Sequence, residues 1–251
     1  MKKLLKAFCM SFSMFCAIPT PFSHVWEDSV RSLMLVVFPF VGTVIGTIWA
    51  VMAFLLCKIN FPLMLGAAIL AVTPYLLTGG IHLDGYMDCC DAIFSRRPLE
   101  KKREILKDSH VGSFAVVGLV ILMMLSFASF ASKDFSYQFW PLITICTVSR
   151  ACSAIGVSTL RPMGHSEYAG NFQKGISKGN ILALCAILIV SFAVSAYLFG
   201  LRGVIISFAT ILGYVIATAY AFKNLDGFSG DVTGFGHTIA ELCGIIALNV
   251  L

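Results

Sequence analysis

FPLMLGAAILAVTPYLLTGGIHLDGYMDCCDAIF, residues 61–94, joins an apolar run from Phe61 to Thr78 directly to three aspartates, Asp84, Asp88 and Asp91. The run approaches the roughly 20 residues that cross a bilayer core. On a helix turning about 100° per residue, the three acids fall near 0°, 40° and −20°, so their carboxylates project from one narrow face. Three anions so close raise one another's pKa, and the usual relief is a divalent cation held by oxygen ligands. A metal site at a membrane surface is the first expectation.

Outward from that stretch, the whole chain reads as membrane protein. Of its 251 residues 58% are hydrophobic and 12% charged, with a mean hydropathy of +0.89, whereas soluble domains carry roughly 25% charged residues. Apolar runs lie at about Leu33 to Leu56, Phe61 to Thr78, Val111 to Ala131, Phe139 to Thr159, Ile181 to Phe199, Gly203 to Phe222 and Gly234 to Leu251. The second and last are short for a crossing. The expected fold is an all-α polytopic bundle of about six or seven transmembrane helices, forming one integral-membrane domain over residues 1–251.

Lys and Arg are distributed unevenly between the connections. Lys2, Lys3, Lys6 and Arg31, then Arg96, Arg97, Lys101, Lys102, Arg103 and Lys107, then Arg161, Lys174 and Lys178, then Lys223 make 14 of the 18. The alternate connections hold only Lys58, Lys133 and Arg202. The positive-inside rule puts the rich side in the cytoplasm, together with the N-terminus and the aspartates. Loops 79–110, 160–180 and 223–233 are then cytoplasmic, the first being the catalytic one.

Residues 1–22, MKKLLKAFCMSFSMFCAIPTPF, have the basic start and short apolar middle of a signal peptide, but no small-x-small cleavage site follows. The alternative is an interfacial or re-entrant segment broken at Pro19 and Pro21. Nine cysteines without a CxxC pair, several in apolar runs, point to packing rather than disulfides or structural zinc. Cys89 and Cys90 face away from the acids and are assigned to packing.

PLEKKREILKDS, residues 98–109, reads as a solvated amphipathic helix with Glu100–Arg103 and Glu104–Lys107 pairs. Asp108 has two readings: it caps the third span, or it belongs to the site. Gly79, Gly80 and Gly85 permit close approach of a phosphate or of backbone. A second polar constellation, LDGFSGDVTGFGHTIAEL at 225–242, sets Asp226 and Asp231 among glycines, with Ser229, Thr233, His237 and Glu241. Glu241 lies deep in an apolar run, where a carboxylate ligates metal, takes a proton or bonds a buried partner. Arg150 interrupts the fourth span, free either to grip phosphate or to pair with an acid, and Arg161 follows it. Carboxylates for magnesium, arginines for phosphate and glycines for close approach are what phosphoryl transfer requires.

GGIHLDGYMDCCDAIFSRR followed by EILKDSHVGSFAVVGL resembles the signature of the cobalamin synthase (adenosylcobinamide-GDP ribazoletransferase) family, whose pattern runs H-x-D-G-x-x-D-x-x-D-G and then K/R-D-S-R-I-G. The likeness extends to IPTPF, FPFVGTVIG, the Ser149–Arg150 pair and GDVTGFGHTIAEL, and so covers nearly the whole chain in order. Ala92, His110 and Ala115 depart from it. The resemblance implies the last assembly step of cobamide synthesis in the bacterial cytoplasmic (inner) membrane. Adenosylcobinamide-GDP and α-ribazole, or its 5′-phosphate, are the substrates, lipid surrounds the bundle, and nucleic acid is not a partner. It leaves room for a homo-oligomer. Mg2+ is expected on Asp84, Asp88 and Asp91, with Asp91 or Asp108 assisting deprotonation of the ribose hydroxyl. Lys107 and Arg150 are expected at phosphate, beside Ser109, Gly80, Gly85 and Gly112, while Asp231 and Glu241 complete a second metal or substrate subsite. Two other readings are a CDP-alcohol phosphotransferase, whose Ala-Arg element is absent here, and a cation- or proton-coupled transporter, which requires polar residues deep in several spans.

Overall fold

The computed structural model describes residues 2–19, 27–132, 139–164, 167–173 and 175–250. Pro21, Lys133, Lys174 and Leu251, named above, lie outside them. Among the described residues ten α-helices follow one another: α1 (Lys2–Phe15), α2 (Arg31–Lys58), α3 (Leu63–Leu77), α4 (Ile81–Phe94), α5 (Leu99–Ile105), α6 (Ser113–Ala131), α7 (Pro141–Thr159), α8 (Glu167–Gln173), α9 (Lys178–Leu225) and α10 (Gly230–Val250). Among the described residues the only strand-like feature is an isolated bridge between Pro162 and Phe228.

By length and composition α2, α6, α7 and α9 can each cross a membrane, and α3 with α4 makes a fifth crossing if that pair, bent by 96°, is counted as one. α9 spans two of the expected runs. Its backbone leaves the helical region at Gly200 (φ 59°, ψ −141°), and Ser195 Oγ donates to the carbonyl of Gly203 at 3.1 Å. Residues eight apart on a straight helix stand about 12 Å apart, so the chain folds back here. With the bent pair counted as one and the two arms of α9 as two, the crossings number six, and α10 would be the seventh. At 21 residues α10 is long enough, but Asp231, His237 and Glu241 lower its hydropathy.

The bundle is organised around α7, which packs against α2, α9 and α10 and is buried on nearly every face. Gly42 and Gly46, one helical turn apart on α2, admit the α7 backbone: a Cβ on Gly42 would stand 2.3 Å from the Cys146 carbonyl oxygen, and one on Gly46 2.7 Å from Ile143 Cα. Such small-residue faces drive helix association where lipid removes the hydrophobic driving force. Gly46→Val should therefore wedge α2 from α7 and lower the melting temperature in detergent, at a cost of about 1–3 kcal/mol for overpacking. Outward faces are apolar, with Val117, Ile121 and Met124 on α6 and Leu182, Ile189 and Leu198 on α9 all exposed. That is the exterior of a membrane bundle.

α1 is not among the crossing helices. It lies against α2, burying Ala7, Met10, Phe12 and Phe15, with the Phe15 and Phe38 ring centroids 4.4 Å apart. All nine cysteines are free, and Cys89 and Cys90 are fully buried, as their packing assignment requires.

Candidate active site

Gly80 (φ 78°) turns the chain out of α3 into α4. From there α4 buries His82, Gly85, Tyr86, Cys89, Cys90, Ala92 and Ile93, leaving Asp84 exposed and Asp88 and Asp91 half-buried. This is the amphipathic helix the aspartate spacing implies, too short at 14 residues to cross a bilayer alone. It packs on the N-terminal turns of α10 and α6. A Cβ on Gly85 would meet Asp231 Cα at 2.8 Å, so this glycine admits the α10 backbone rather than a phosphate. Gly85→Ala should cost about 1–3 kcal/mol of stability, read as a lower melting temperature, because helix backbone cannot yield as a side chain does.

That contact brings a fourth carboxylate, Asp231, to the three on α4. Burial, and then Asp84, Asp231 and Asp91 in turn, push the Asp88 carboxyl up to about 7. Ser229 caps α10, its Oγ accepting from Val232 N at 3.2 Å and donating to Asp231 Oδ2 at 3.3 Å. Asp91 turns toward α6, where its Oδ1 accepts from Phe114 N at 3.3 Å. A Cβ on Gly112 would lie 2.0 Å from Asp91 Oδ2, so Gly112 makes room for this carboxylate. The capping contact considered for Asp108 thus falls to Asp91. Asp108 accepts from the His110 backbone N–H at 3.0 Å and stands 2.7 Å from its ring Nδ1. The His110 contact draws the Asp108 pKa down and the His110 pKa up. Ser109 is exposed on the same loop.

Two cavities share Ser229 and Asp231 as a wall. The first, about 360 Å³, reaches from Asp84 and Asp231 down to His82 and Ser153, between Phe15, Phe38, Leu35 and Val157. The second, about 350 Å³, is bordered by Glu100, Arg103, Glu104 and Lys107 on α5 and the turn after it, and by Met163 and Gly164. The helix read as solvated is exposed and also walls this cavity. Arg103 Nη2 donates to the Asp226 carboxylate at 3.2 Å and its Nε to the Leu225 carbonyl at 3.2 Å. Arg161 pairs with the same aspartate, and together the two guanidinium groups, Arg161 foremost, hold the Asp226 carboxyl below its ordinary value. Arg161 is thereby committed to protein.

Arg150 and Glu241 fall in neither cavity. Arg150 Nη1 donates to Glu241 Oε1 at 2.8 Å and to the Cys146 carbonyl at 3.0 Å, and Ser149 Oγ donates to the same Oε1 at 3.2 Å. The arginine side chain is 0% exposed and the glutamate 5%. Of the two readings of Arg150, the structure takes the ion pair, and neither residue borders either of the two cavities. His237 Nε2 lies 3.2 Å from Glu241 Oε1 but off the line a hydrogen bond needs, and it has no such partner. Its Nδ1 is 3.3 Å from Ser153 Oγ, and its ring centroid is 4.3 Å from that of His82. His82 was given no role from the sequence, although it stands in the quoted motif two positions before Asp84.

Among the described residues, no three His, Cys, Asp or Glu side chains already form a metal cage. The donor set nevertheless fits magnesium, which takes one or two carboxylates and completes its shell with water and substrate phosphates.

A helical membrane bundle with clustered carboxylates at the meeting of two cavities defines a membrane-embedded group-transfer enzyme. The chain belongs to the cobalamin-5-phosphate synthase family, whose model matches residues 7–249. It is 36% identical to the adenosylcobinamide-GDP ribazoletransferase of Clostridium perfringens strain 13, covering 100% of both chains. It is 32% identical to the enzyme of that name from Clostridium botulinum strain Alaska E43, over 98% of each, and 27% identical to that of Listeria monocytogenes, over 98% of each. No solved structure matches. These likenesses support neither the CDP-alcohol phosphotransferase reading nor the transporter.

Proposed function

We infer that this chain joins adenosylcobinamide-GDP to α-ribazole, or to its 5′-phosphate, releasing GMP in the last assembly step of cobamide synthesis. Beside the full-length likeness to enzymes of that name, the observation that carries this reading is the wall of Ser229 and Asp231 between two cavities. A reaction between two substrates needs two binding volumes meeting at the reacting phosphate.

The ribose hydroxyl attacks the cobinamide-linked phosphorus, a new P–O bond forms, the P–O bond to GMP breaks, and GMP leaves with the bridging oxygen. Asp84 and Asp88 would hold a magnesium ion, its shell completed by water and substrate phosphate, with Asp91 held against α6. When bound, the ion neutralises diphosphate charge and the developing charge on the leaving group. Neither Asp91 nor Asp108 borders the first cavity, whereas Asp231 borders both, so Asp231 is assigned to accept the hydroxyl proton. Lys107, on the wall of the second cavity, faces the phosphate of the departing nucleotide.

The site lies at the end of the bundle that gathers Lys102, Arg103 and Arg161, while Arg202 meets the far end of α10 through the Leu248 carbonyl at 2.7 Å. The positive-inside rule puts the site end in the cytoplasm and the bundle in the inner membrane. Purified protein in liposomes, given adenosylcobinamide-GDP, α-ribazole and magnesium, should yield GMP and a complete cobamide in equal amounts. Chelation should stop turnover and added magnesium restore it. Absence of GMP with both substrates present would refute the assignment.

A further inference from the structure

We propose that the two cavities divide the reaction between them: the first takes the flat aromatic base of the acceptor nucleoside, with His82 as its hydrogen-bonding partner, and the second takes the departing nucleotide. This rests on the transfer reaction assigned above and adds which substrate lies where.

The side chains of the two walls decide the direction. No Lys or Arg lines the first cavity among the described residues, and two aspartates guard its mouth. A phosphate entering there finds no basic side chain, only a metal ion held at the aspartates of its mouth. A neutral heterocycle of the benzimidazole type meets Phe15, Phe38, Leu35 and Val157, apolar surfaces suited to a flat ring. The second cavity alone has basic side chains in its wall, Arg103 and Lys107, beside Glu100, Glu104 and Asp231. Arg103 is held in place by Asp226, and Lys107 makes no ion pair among the described residues, which leaves its ammonium for phosphate. Size excludes the third component from both: a corrinoid is far larger than volumes of about 360 and 350 Å³, so it stays at the open mouth with only its phosphate reaching Asp231.

His82 gives the first cavity its specificity. The side chain is 93% buried by its 7% exposure, its Nε2 finds no hydrogen-bond partner in the protein, and the ring borders the cavity. An unpaired polar group is destabilising in such surroundings and is retained where a ligand completes it. A benzimidazole riboside carries one free ring nitrogen, an acceptor for an imidazole N–H. The rings of Phe15 and Phe38, with centroids 6.0 and 5.9 Å from that of His82, hold the imidazole in position.

The test is equilibrium binding of α-ribazole alone and of GMP alone, with magnesium, to the full-length protein in detergent. Met14→Trp, at the half-buried rim of the first cavity, and His82→Phe, which keeps the ring and loses the donor, should each weaken α-ribazole binding about tenfold or more and leave GMP binding within twofold. Lys107→Ala should do the reverse. Retained GMP binding shows that the first two variants are folded. If Met14→Trp or His82→Phe weakens GMP instead, or weakens both ligands or neither, the division is overturned. Wild-type protein that turns over both substrates while its variants break the pattern removes only the division, whereas wild-type protein that makes no GMP removes the transfer reaction with it.

Discussion

Asp84→Asn and Asp88→Asn are each expected to lower turnover at least a hundredfold, and Asp88→Asn is expected at the same time to raise the melting temperature of the metal-free protein. The first effect follows from the role of the cluster: losing a charged oxygen from a site that neutralises phosphate removes stabilisation realised mainly in the transition state, commonly worth about 10²–10³ in rate. The second follows from what the cluster costs without a cation. Burial and the neighbouring Asp84, Asp231 and Asp91 push Asp88 up to about 7, against roughly 3.9 for an unfolded chain. Between those values the unfolded state has already lost a proton that the folded state retains, so stability falls as pH rises through that window and stays lower above it. Asparagine carries no charge to penalise. The gain should therefore be present at pH 8 and nearly absent at pH 4, in melting curves recorded with chelator. Equal activity of wild type and variant, or a melting gain that persists unchanged at pH 4, would discard the clustered-carboxylate account.

Much of this site was legible because helical periodicity is local. Asp84, Asp88 and Asp91 lie within two turns, and once the segment is a helix their common face follows from rotation per residue. The apolar runs announced α2, α6 and α7 for the same reason. What the sequence left open depends on which helices meet. Asp231 joins the cluster only because Gly85 lets α10 approach within contact of α4, and nothing in the spacing of either segment requires it. Asp91 rather than Asp108 reaches the start of α6 because Gly112 leaves space there, which is again a tertiary fact. The two arms of α9 were readable as separate runs, and the turn at Gly200 joins them without a polar connection. The sequence does not single out His82, because a histidine on an apolar helix face is usually core, and only the cavity beside it distinguishes this one.

The stability of the bundle is expected to depend most sharply on the Arg150–Glu241 pair. Arg150→Met and Glu241→Leu should each cost about 3–5 kcal/mol, and the double replacement less than either alone. The reason is an asymmetry between making and breaking a buried ion pair. Bringing both charges into the bundle has already cost several kcal/mol of desolvation, repaid by the 2.8 Å contact together with the Ser149 and Cys146 bonds. Removing one partner leaves the other charge unanswered between α2, α7 and α10, whereas removing both leaves apolar side chains of similar volume where charges stood. Arg150 Nε and Nη2 have no hydrogen-bond partner, so the pair is incompletely satisfied even in the native protein, which strengthens the case for the double variant. Melting curves in one detergent at one pH decide it through the double-mutant cycle, whose coupling should be favourable by more than about 3 kcal/mol, because the double variant loses less than either single one. Because neither residue lines a cavity, the double variant should bind α-ribazole and GMP with near wild-type affinity once folded. Additive single losses would show that the two side chains act independently, and lost ligand binding in a folded double variant would return Arg150 to the substrate.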